Sequence, residues 1–203
     1  MNVKSIKSYA LALLFIALSL TGCKEKTKNP VVESLISTIV WATGADENKV
    51  FIYDLEQVRK VTIGEELDYR IGLFQYKLSF DKGKLEYFSE NRMPRNRTRY
   101  AALVKKDERI LQGLDSLRAD MDAGMAARVA WYEFKFSAKA ETPDEVFNVI
   151  DWHFIITPRY KIVAMKSHNV GLRRGMGKLI PGYMSILGRE ELSDEDLEIK
   201  NVY

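Results

Sequence analysis

The chain has 203 residues, with 31 lysines and arginines against 28 aspartates and glutamates, and a single cysteine. This length is sufficient for one domain with a real apolar core. The near balance of charge argues against nonspecific nucleic-acid binding, so we expect no nucleic-acid partner. One cysteine excludes a disulfide within the chain, and the stability of the domain must therefore come from packing.

The N-terminal segment has the features of a secretion signal. Lys4 and Lys7 precede an apolar run, YALALLFIALSL, that contains no acidic residue. A helix of this length measures about 18 Å, which is less than the ~30 Å of a bilayer core, so we do not expect a permanent membrane span. The small residues Thr21 and Gly22 then lead to Cys23. This order is typical of a segment that directs export.

The motif Leu20-Thr21-Gly22-Cys23 is similar to the lipobox of bacterial lipoproteins. The resemblance implies cleavage between Gly22 and Cys23, a diacylglycerol on the sulfur and a fatty acid on the new amino group. More than one acyl chain gives stable membrane anchoring. By analogy with sorting in this class, Lys24 in place of an aspartate implies the outer membrane of a Gram-negative envelope, on its periplasmic or surface face. An ordinary cleaved signal followed by an unused thiol is the alternative.

The rest of the chain is expected to form one domain. At its start, Asn29-Pro30 has the sequence of an N-cap followed by proline at the first helical position, and Gly44 ends the apolar pattern that follows. These features predict a helix over 30–43. Residues 49–63 are rich in β-branched and aromatic side chains and predict a strand. The expected divisions are a signal peptide over 1–22, a polar tether over 23–29, a single α+β domain over 30–188 and an acidic C-terminal tail over 189–203.

A long helix is predicted over 64–91, and it begins at a capping box formed by Thr62 and Glu65. Its apolar side chains form two rows on opposite sides of the helix. We expect such a helix to lie between two layers of structure. The first row contains Leu67, Ile71, Phe74, Leu78, Leu85 and Phe88, and the second contains Tyr69, Leu73, Tyr76, Phe80 and Tyr87.

A second helix, over 98–121, follows the interruption at Pro94 and completes a helical hairpin. Strands are then predicted over 128–140, 146–157 and 160–166, and a short helix over 180–187. The short connections between these strands favour an antiparallel meander. We therefore expect an α+β fold with an N-terminal helix and strand and a long helical hairpin packed on an antiparallel meander of three to four strands.

One aspartate in each hairpin helix occupies a position within an apolar row. Folding the hairpin about residue 95 brings Asp81 and Asp107 to a similar height. Two buried carboxylates would raise a pKa or bind a cation, which makes the pair a candidate site. The alternative is a solvated seam, because lysines stand at positions 77, 82, 84 and 106.

Two basic segments are further candidates for binding. Polybasic segments can contact anionic lipid headgroups or lipopolysaccharide, although a solvated loop is the alternative for both. The glycine and lysine pattern over 171–178 lacks the spacing of a phosphate-binding P-loop, so we predict a flexible basic loop there. The residues are Arg92, Arg95, Arg97 and Arg99 at the hairpin tip, and Arg173, Arg174 and Lys178 in the predicted loop.

The remaining candidate for chemistry is the pair Asp151 and His153, which alternate along one predicted strand and share a face. Such a pair could orient an imidazole. No recognisable serine or cysteine nucleophile motif accompanies it in the sequence, so we interpret His153 as a hydrogen-bonded structural residue.

These observations favour a binding role over catalysis. The segments WYEFKFSAKA (131–140) and KLIPGY (178–183) are similar to small uncharacterised lipoproteins of gut bacteria, a resemblance that implies no activity. We expect a membrane-anchored envelope lipoprotein that binds an envelope protein or glycan, or has a structural role, without a metal or other cofactor. The alternative is a hydrolase or other enzyme that uses the carboxylates or the Asp/His pair. No oligomeric state follows from the sequence.

Overall fold

The computed structural model of the protein describes residues 29–189. The predicted signal peptide and cleavage site, Cys23, the tether up to residue 28 and residues 190–203 of the acidic tail lie outside this range. The described residues form an α+β fold, as predicted. In chain order its helices and strands are α1 (Pro30–Thr43), β1 (Val50–Thr62), α2 (Ile63–Glu90), α3 (Pro94–Asp120), α4 (Ala123–Ala127), β2 (Val129–Glu141), β3 (Val146–Ile156), β4 (Ile162–Lys166) and α5 (Tyr183–Ile186), with 3-10 helices at Glu47–Lys49 and Leu172–Leu179.

Local sequence determines where the helices begin. The Asn29 side chain accepts a hydrogen bond from the Val31 amide at the start of α1. The capping box predicted for α2 forms: the Thr62 amide donates to Glu65 Oε2 at 2.7 Å, and the Glu65 amide donates to Thr62 Oγ1 at 3.2 Å. Helix α3 begins at Pro94 and not at residue 98, because proline is well tolerated in the first turn of a helix.

The four strands form an antiparallel meander in the order β1-β2-β3-β4. At its centre, Phe136 of β2 lies opposite Leu55 of β1 and Trp152 of β3. Although β1 and β2 are neighbours in the sheet, α2, α3 and α4 separate them in the sequence. The helical hairpin is therefore an insertion between two adjacent strands.

The two faces of the sheet cover separate cores. On one face, α1 packs its buried residues Leu35 and Ile39 against side chains such as Phe136 and Phe154. On the other face, Leu67 of α2, Leu114 of α3 and Trp131 of β2 form a core with the segment that follows β4. Trp131 and Phe136 of β2 thus lie on opposite faces of the sheet, as expected for side chains five residues apart in a strand.

Only the base of the hairpin packs on the sheet. Within residues 29–189, neither core includes a side chain from the stretch between Phe74 and Ile110. The hairpin closes near its turn through the rings of Phe88 and Tyr100, whose centroids lie 5.2 Å apart. Helices α2 and α3 thus continue beyond the domain core as a two-helix arm.

We find no helix among residues 29–189 with the length and apolar character needed to cross a bilayer.

Candidate functional site

The two aspartates predicted to share the hairpin seam meet at one ammonium group. Lys77 Nζ donates to Asp81 Oδ2 at 2.9 Å and to Asp107 Oδ2 at 2.5 Å. Both aspartates are buried, whereas about half of the Lys77 side chain is exposed. Lys77 and Asp81 lie one helical turn apart on α2, and Asp107 comes from α3, so the ion pair links the two helices.

The cation that this carboxylate pair requires is supplied by the chain itself. Burial alone would lower the pKa of Lys77, but the hydrogen bonds to Asp107 and Asp81 outweigh this effect and the pKa is raised. Lys77 therefore stays charged and balances the two carboxylates. These ionic interactions hold α2 and α3 together, and we call the cluster of Lys77, Asp81 and Asp107 the polar lock. Across the described part of the chain, no group of three or more His, Cys, Asp or Glu side chains could hold a metal ion.

The four arginines predicted at the hairpin tip are found there. Arg92, Arg95, Arg97 and Arg99 are all exposed, on the turn or on the first turns of α3. The Arg99 guanidinium lies 5.9 Å from the centroid of the Tyr100 ring. Positive charge is therefore presented at the end of the arm that is farthest along the hairpin from its packed base.

The predicted flexible basic loop is wrong. Residues Leu172–Leu179 form a 3-10 helix whose apolar side chains enter the core. Gly177 packs so closely on Tyr183 that a Cβ atom would lie 2.6 Å from Cε1 of the ring. Lys178 is partly covered, and its burial lowers its pKa. Charge alone suggested a solvated loop, but Leu172 and Met176 at a spacing of four residues provide an apolar face that the core covers.

Arg173 belongs to a buried ionic network centred on Glu66, which has no exposed surface. Glu66 Oε1 accepts hydrogen bonds from Arg70 Nε at 2.8 Å and Arg70 Nη2 at 2.5 Å. Its other oxygen, Oε2, accepts from Arg173 Nε at 2.7 Å and from Trp131 Nε1 at 3.2 Å. A buried carboxylate must be neutralised and hydrogen-bonded, and four donors meet this requirement.

Arg70 also fixes the backbone of the 3-10 helix. Its Nη2 donates to the Arg173 carbonyl at 2.5 Å and its Nη1 to the Arg174 carbonyl at 2.9 Å. The Arg173 guanidinium stacks 3.7 Å from the centroid of the Tyr69 ring. Arg174 is itself exposed. The network therefore connects α2, β2 and the 3-10 helix, and its polar groups form hydrogen bonds with one another.

Sequence reasoning missed Glu66, Arg70 and Trp131. The spacing of four residues between Glu66 and Arg70 is compatible with a helical ion pair, but it occurs as often on exposed surfaces. The partners Arg173 and Trp131 are distant in sequence, and only the fold brings them together.

Asp151 and His153 do not form a pair. Asp151 adopts a positive φ of 55° at an irregularity of β3, its amide donates to Ser137 Oγ, and its carboxylate lies 3.2 Å from Lys135 Nζ. His153 Nδ1 lies 3.0 Å from Oε1 of the buried Glu133. The interpretation of His153 as a hydrogen-bonded histidine agrees with this contact.

Apart from Tyr69, on whose ring Arg173 stacks, the second apolar row of α2 is not covered by another layer, contrary to expectation. Its side chains are 38–76% exposed on the side of the helix turned away from α3. They are Tyr69, Leu73, Tyr76, Phe80 and Tyr87. We call this row the outer face of α2. A periodic pattern shows that side chains share a face, but it does not show whether the same chain covers that face.

Two glycines interrupt α2 beside the outer face without a packing reason in the described structure. A Cβ atom on Gly72 or on Gly83 would meet nothing within 4 Å. Each glycine costs the helix about 1 kcal/mol relative to alanine. No contact among residues 29–189 explains why these positions are small.

A groove of about 660 Å³ runs along the exposed side of α1 and is closed by the turn between β3 and β4. Trp41, which is 58% exposed, and Tyr160 bring aromatic rings to it, and Ser34, Ser37 and Thr38 bring hydroxyl groups. The Ser34 hydroxyl donates to the Tyr160 carbonyl at 2.6 Å. Aromatic and hydroxyl side chains along one groove suit a ligand that has both apolar faces and polar edges.

Tyr160 occupies a left-handed backbone position, with φ of 61°. Its amide donates to the Thr157 carbonyl, which closes a turn over Pro158 and Arg159. In three-residue hairpin loops of this type the left-handed position usually belongs to glycine. A tyrosine there costs about 1–2 kcal/mol, so the backbone conformation does not account for this residue.

The chain matches no protein-family model, no curated protein sequence and no solved structure.

Replacing Lys77 with methionine should destabilise the domain in a pH-dependent manner. At neutral pH two buried carboxylates would lose their cation, and we expect the free energy of unfolding to fall by about 1–3 kcal/mol. In the unchanged protein, the raised pKa means that Lys77 contributes fully below the pKa of a free lysine and less as the pH rises through the higher folded value.

Urea unfolding at pH 7 and at an alkaline pH above the pKa of a free lysine measures this difference, because the contribution of Lys77 falls as the pH rises. Lys82→Met is the matched control, because Lys82 pairs at 2.9 Å with Glu108 and both side chains are about half exposed. Such a pair contributes at most about 1 kcal/mol. An effect of Lys77→Met that is equal at both pH values would contradict the lock.

Proposed function

We propose that this protein is a lipid-anchored lipoprotein of the bacterial cell envelope that acts by binding, without catalysis, through the outer face of α2. One observation carries the binding role: five large apolar side chains are exposed in a row on a hairpin arm. Contiguous exposed apolar surface of this kind marks interaction sites. The lipobox at Leu20-Thr21-Gly22-Cys23 supports the anchor.

The polar clusters support binding over catalysis, because their groups serve the fold. Glu66 is satisfied by Arg70, Arg173 and Trp131, and Lys77 is held by two carboxylates. A catalytic group needs an atom within hydrogen-bond reach of a bound substrate, whereas Glu66 has no exposed surface. The candidate carboxylates Asp81 and Asp107 both accept hydrogen bonds from Lys77.

The anchor has a direct test. Replacing Cys23 with alanine should abolish incorporation of radiolabelled palmitate and leave an uncleaved precursor, because the sulfur that carries the diacylglycerol is removed. Cells that express the unchanged chain and the Cys23→Ala chain at equal levels are labelled and compared on a gel. Labelling of Cys23→Ala would show that this cysteine is not the anchor.

The binding surface has a separate test. A photo-crosslinking amino acid in place of Tyr76, the most exposed residue of the outer face, should form a covalent adduct when intact cells are irradiated. The same amino acid in place of Gln75 is the control. Gln75 is also exposed, but one residue turns the helix by about 100°, so it points away from the outer face. Equal adduct yields at both positions, or none at either, would count against this surface.

Glycan binding is a second candidate, which the groove along α1 favours. The exposed ring of Trp41 and the ring of Tyr160 could stack on the faces of sugar units, while Ser37 supplies a hydroxyl group for the edges. The Thr38 hydroxyl donates to the Ser34 carbonyl and can serve a ligand as an acceptor. The unfavourable backbone position of Tyr160 supports this role, since strained residues are concentrated at functional sites.

Tyr160→Gly separates stability from binding at this groove. We expect the free energy of unfolding to rise by about 1 kcal/mol, because glycine adopts the left-handed conformation freely. We also expect the fluorescence change of Trp41 on addition of purified lipopolysaccharide or soluble peptidoglycan fragments to be lost. Trp41→Phe shows which part of the signal belongs to Trp41, because the buried Trp131 and the partly buried Trp152 also fluoresce. No fluorescence change in the unchanged protein with either glycan would contradict this candidate.

A further inference from the structure

The outer face of α2 is long enough to contact another helix. From Tyr69 to Tyr87 it extends for ~27 Å, because each residue adds about 1.5 Å along the axis. The row lies opposite the seam with α3, and its distal part lies beyond the two cores. A partner could therefore approach this distal part without displacing any element of the described fold, whereas Tyr69 at the proximal end is contacted by Arg173.

Gly72 and Gly83 indicate that the partner comes close to the helix backbone. Both lie along the same edge of the outer face, together with Ser79, at steps of seven and four residues. Small side chains between large aromatic ones leave a surface into which the side chains of a second helix can pack. The two glycines meet nothing within the described structure, so an external helix would explain them.

Charges of opposite sign flank the two edges of the outer face. At 100° per residue, Lys77 and Lys84 lie along one edge, and Glu86 and Glu90 lie along the glycine edge. The charge of Lys77 is balanced by Asp81 and Asp107, so the charge that this edge offers to a partner is that of Lys84. The Lys84 ammonium lies 5.5 Å from the centroid of the Phe80 ring, at the border of the apolar row. The outer face is thus an apolar row between a basic edge and an acidic edge.

We infer that the partner is a second copy of this chain, with the two α2 helices parallel and their outer faces in contact. In a parallel pair related by a two-fold axis, the basic edge of each helix meets the acidic edge of the other. In an antiparallel pair, like edges meet and Glu86 would face the acidic edge of its partner. Lys84 and Glu86 lie only two residues apart along the axis, so a parallel pair brings opposite charges to nearly the same height.

The size of the surface fits a dimer that needs the membrane. Five side chains of roughly 150–250 Å² each, exposed by 38–76%, present about 500 Å². A stable interface buries about 800 Å² per partner, so the outer face alone would give a weak dimer in solution. Lipid anchoring raises the effective concentration of two copies on one membrane. This inference therefore rests on the proposed function.

Disulfide formation between single cysteines tests the parallel dimer. The chain has one native cysteine, Cys23, which the anchor would convert to a thioether. In the full chain in isolated membranes, Tyr87→Cys should give a disulfide-linked dimer on oxidation with copper phenanthroline. Ser89→Cys is the matched control, because it is exposed at the same height on the opposite side of α2. We expect its dimer yield to be at least tenfold lower.

Gly83→Leu tests whether a second helix packs closely against α2. Leucine favours the helix more than glycine does, so the fold should not be weakened. In the Tyr87→Cys chain it should nevertheless lower the dimer yield at least fivefold, since the second helix can no longer approach closely. An unchanged yield would overturn the close packing. A disulfide between Leu73→Cys and Tyr87→Cys chains, without one between two Tyr87→Cys chains, would overturn the parallel arrangement.

Failure of the dimer and failure of the proposed function give different results. If Tyr87→Cys forms no disulfide while the photo-crosslinker at Tyr76 captures another protein, the dimer is wrong and binding through the outer face stands. If neither experiment gives a product, both are wrong. A photo-adduct at Tyr76 with twice the mass of the chain, together with the Tyr87→Cys disulfide, supports both.

Discussion

The carboxylate of Glu66 determines how the base of the helical hairpin is held against the sheet. It has no contact with water, and it accepts hydrogen bonds from side chains of α2, β2 and the 3-10 helix. Removing such a charge from water is costly unless every lone pair is used, so the three elements must keep these positions for the fold to be stable. Arg70 extends the same constraint to the backbone through the carbonyls of Arg173 and Arg174. The base of the hairpin is thereby fixed to the sheet.

The distal hairpin depends on a different kind of constraint. Beyond the core, the seam between α2 and α3 contains Lys77, Asp81 and Asp107 in addition to apolar side chains. Apolar seams tolerate sliding by a helical turn, whereas a buried charge pair is satisfied in one register only. The lock therefore lets the two helices extend past the core in a defined alignment. Because α2 is aligned by its inner face, its outer face is left available for contact with another molecule.

Local signals in the sequence predicted where helices and strands form better than they predicted which residues contact them. The N-cap Asn29 and the capping box of Thr62 and Glu65 depend on neighbouring residues, and both predictions are confirmed. The height of Asp81 and Asp107 followed from folding the hairpin, but their shared cation did not. It comes from Lys77, which could equally have pointed into solvent.

The errors came from interactions over long sequence separations. Arg173 was assigned to a flexible loop because positive charge is usually solvated, yet its partner Glu66 lies in a different element. The outer face of α2 was expected to be covered, because two apolar rows usually mean two covering layers. Neither outcome could follow from periodicity or charge, which describe one segment at a time. The groove along α1 was missed because Trp41 and Tyr160 are distant in sequence.

Three exposed residues, Gly72, Gly83 and Tyr160, lower the stability of the isolated domain, whereas the buried ionic clusters contribute to its stability. Glu66 and Lys77 have partners for their charges within the described structure, so these clusters contribute to the fold itself. Gly72 and Gly83 weaken α2, and a Cβ atom at either position would meet nothing in the part of the chain that the structure describes. Tyr160 adopts an unfavourable backbone conformation. Departures from local preference that the fold does not explain are expected at functional sites. The three positions lie on two surfaces, the outer face of α2 and the groove along α1, and both are therefore sites where contact with another molecule would explain the sequence.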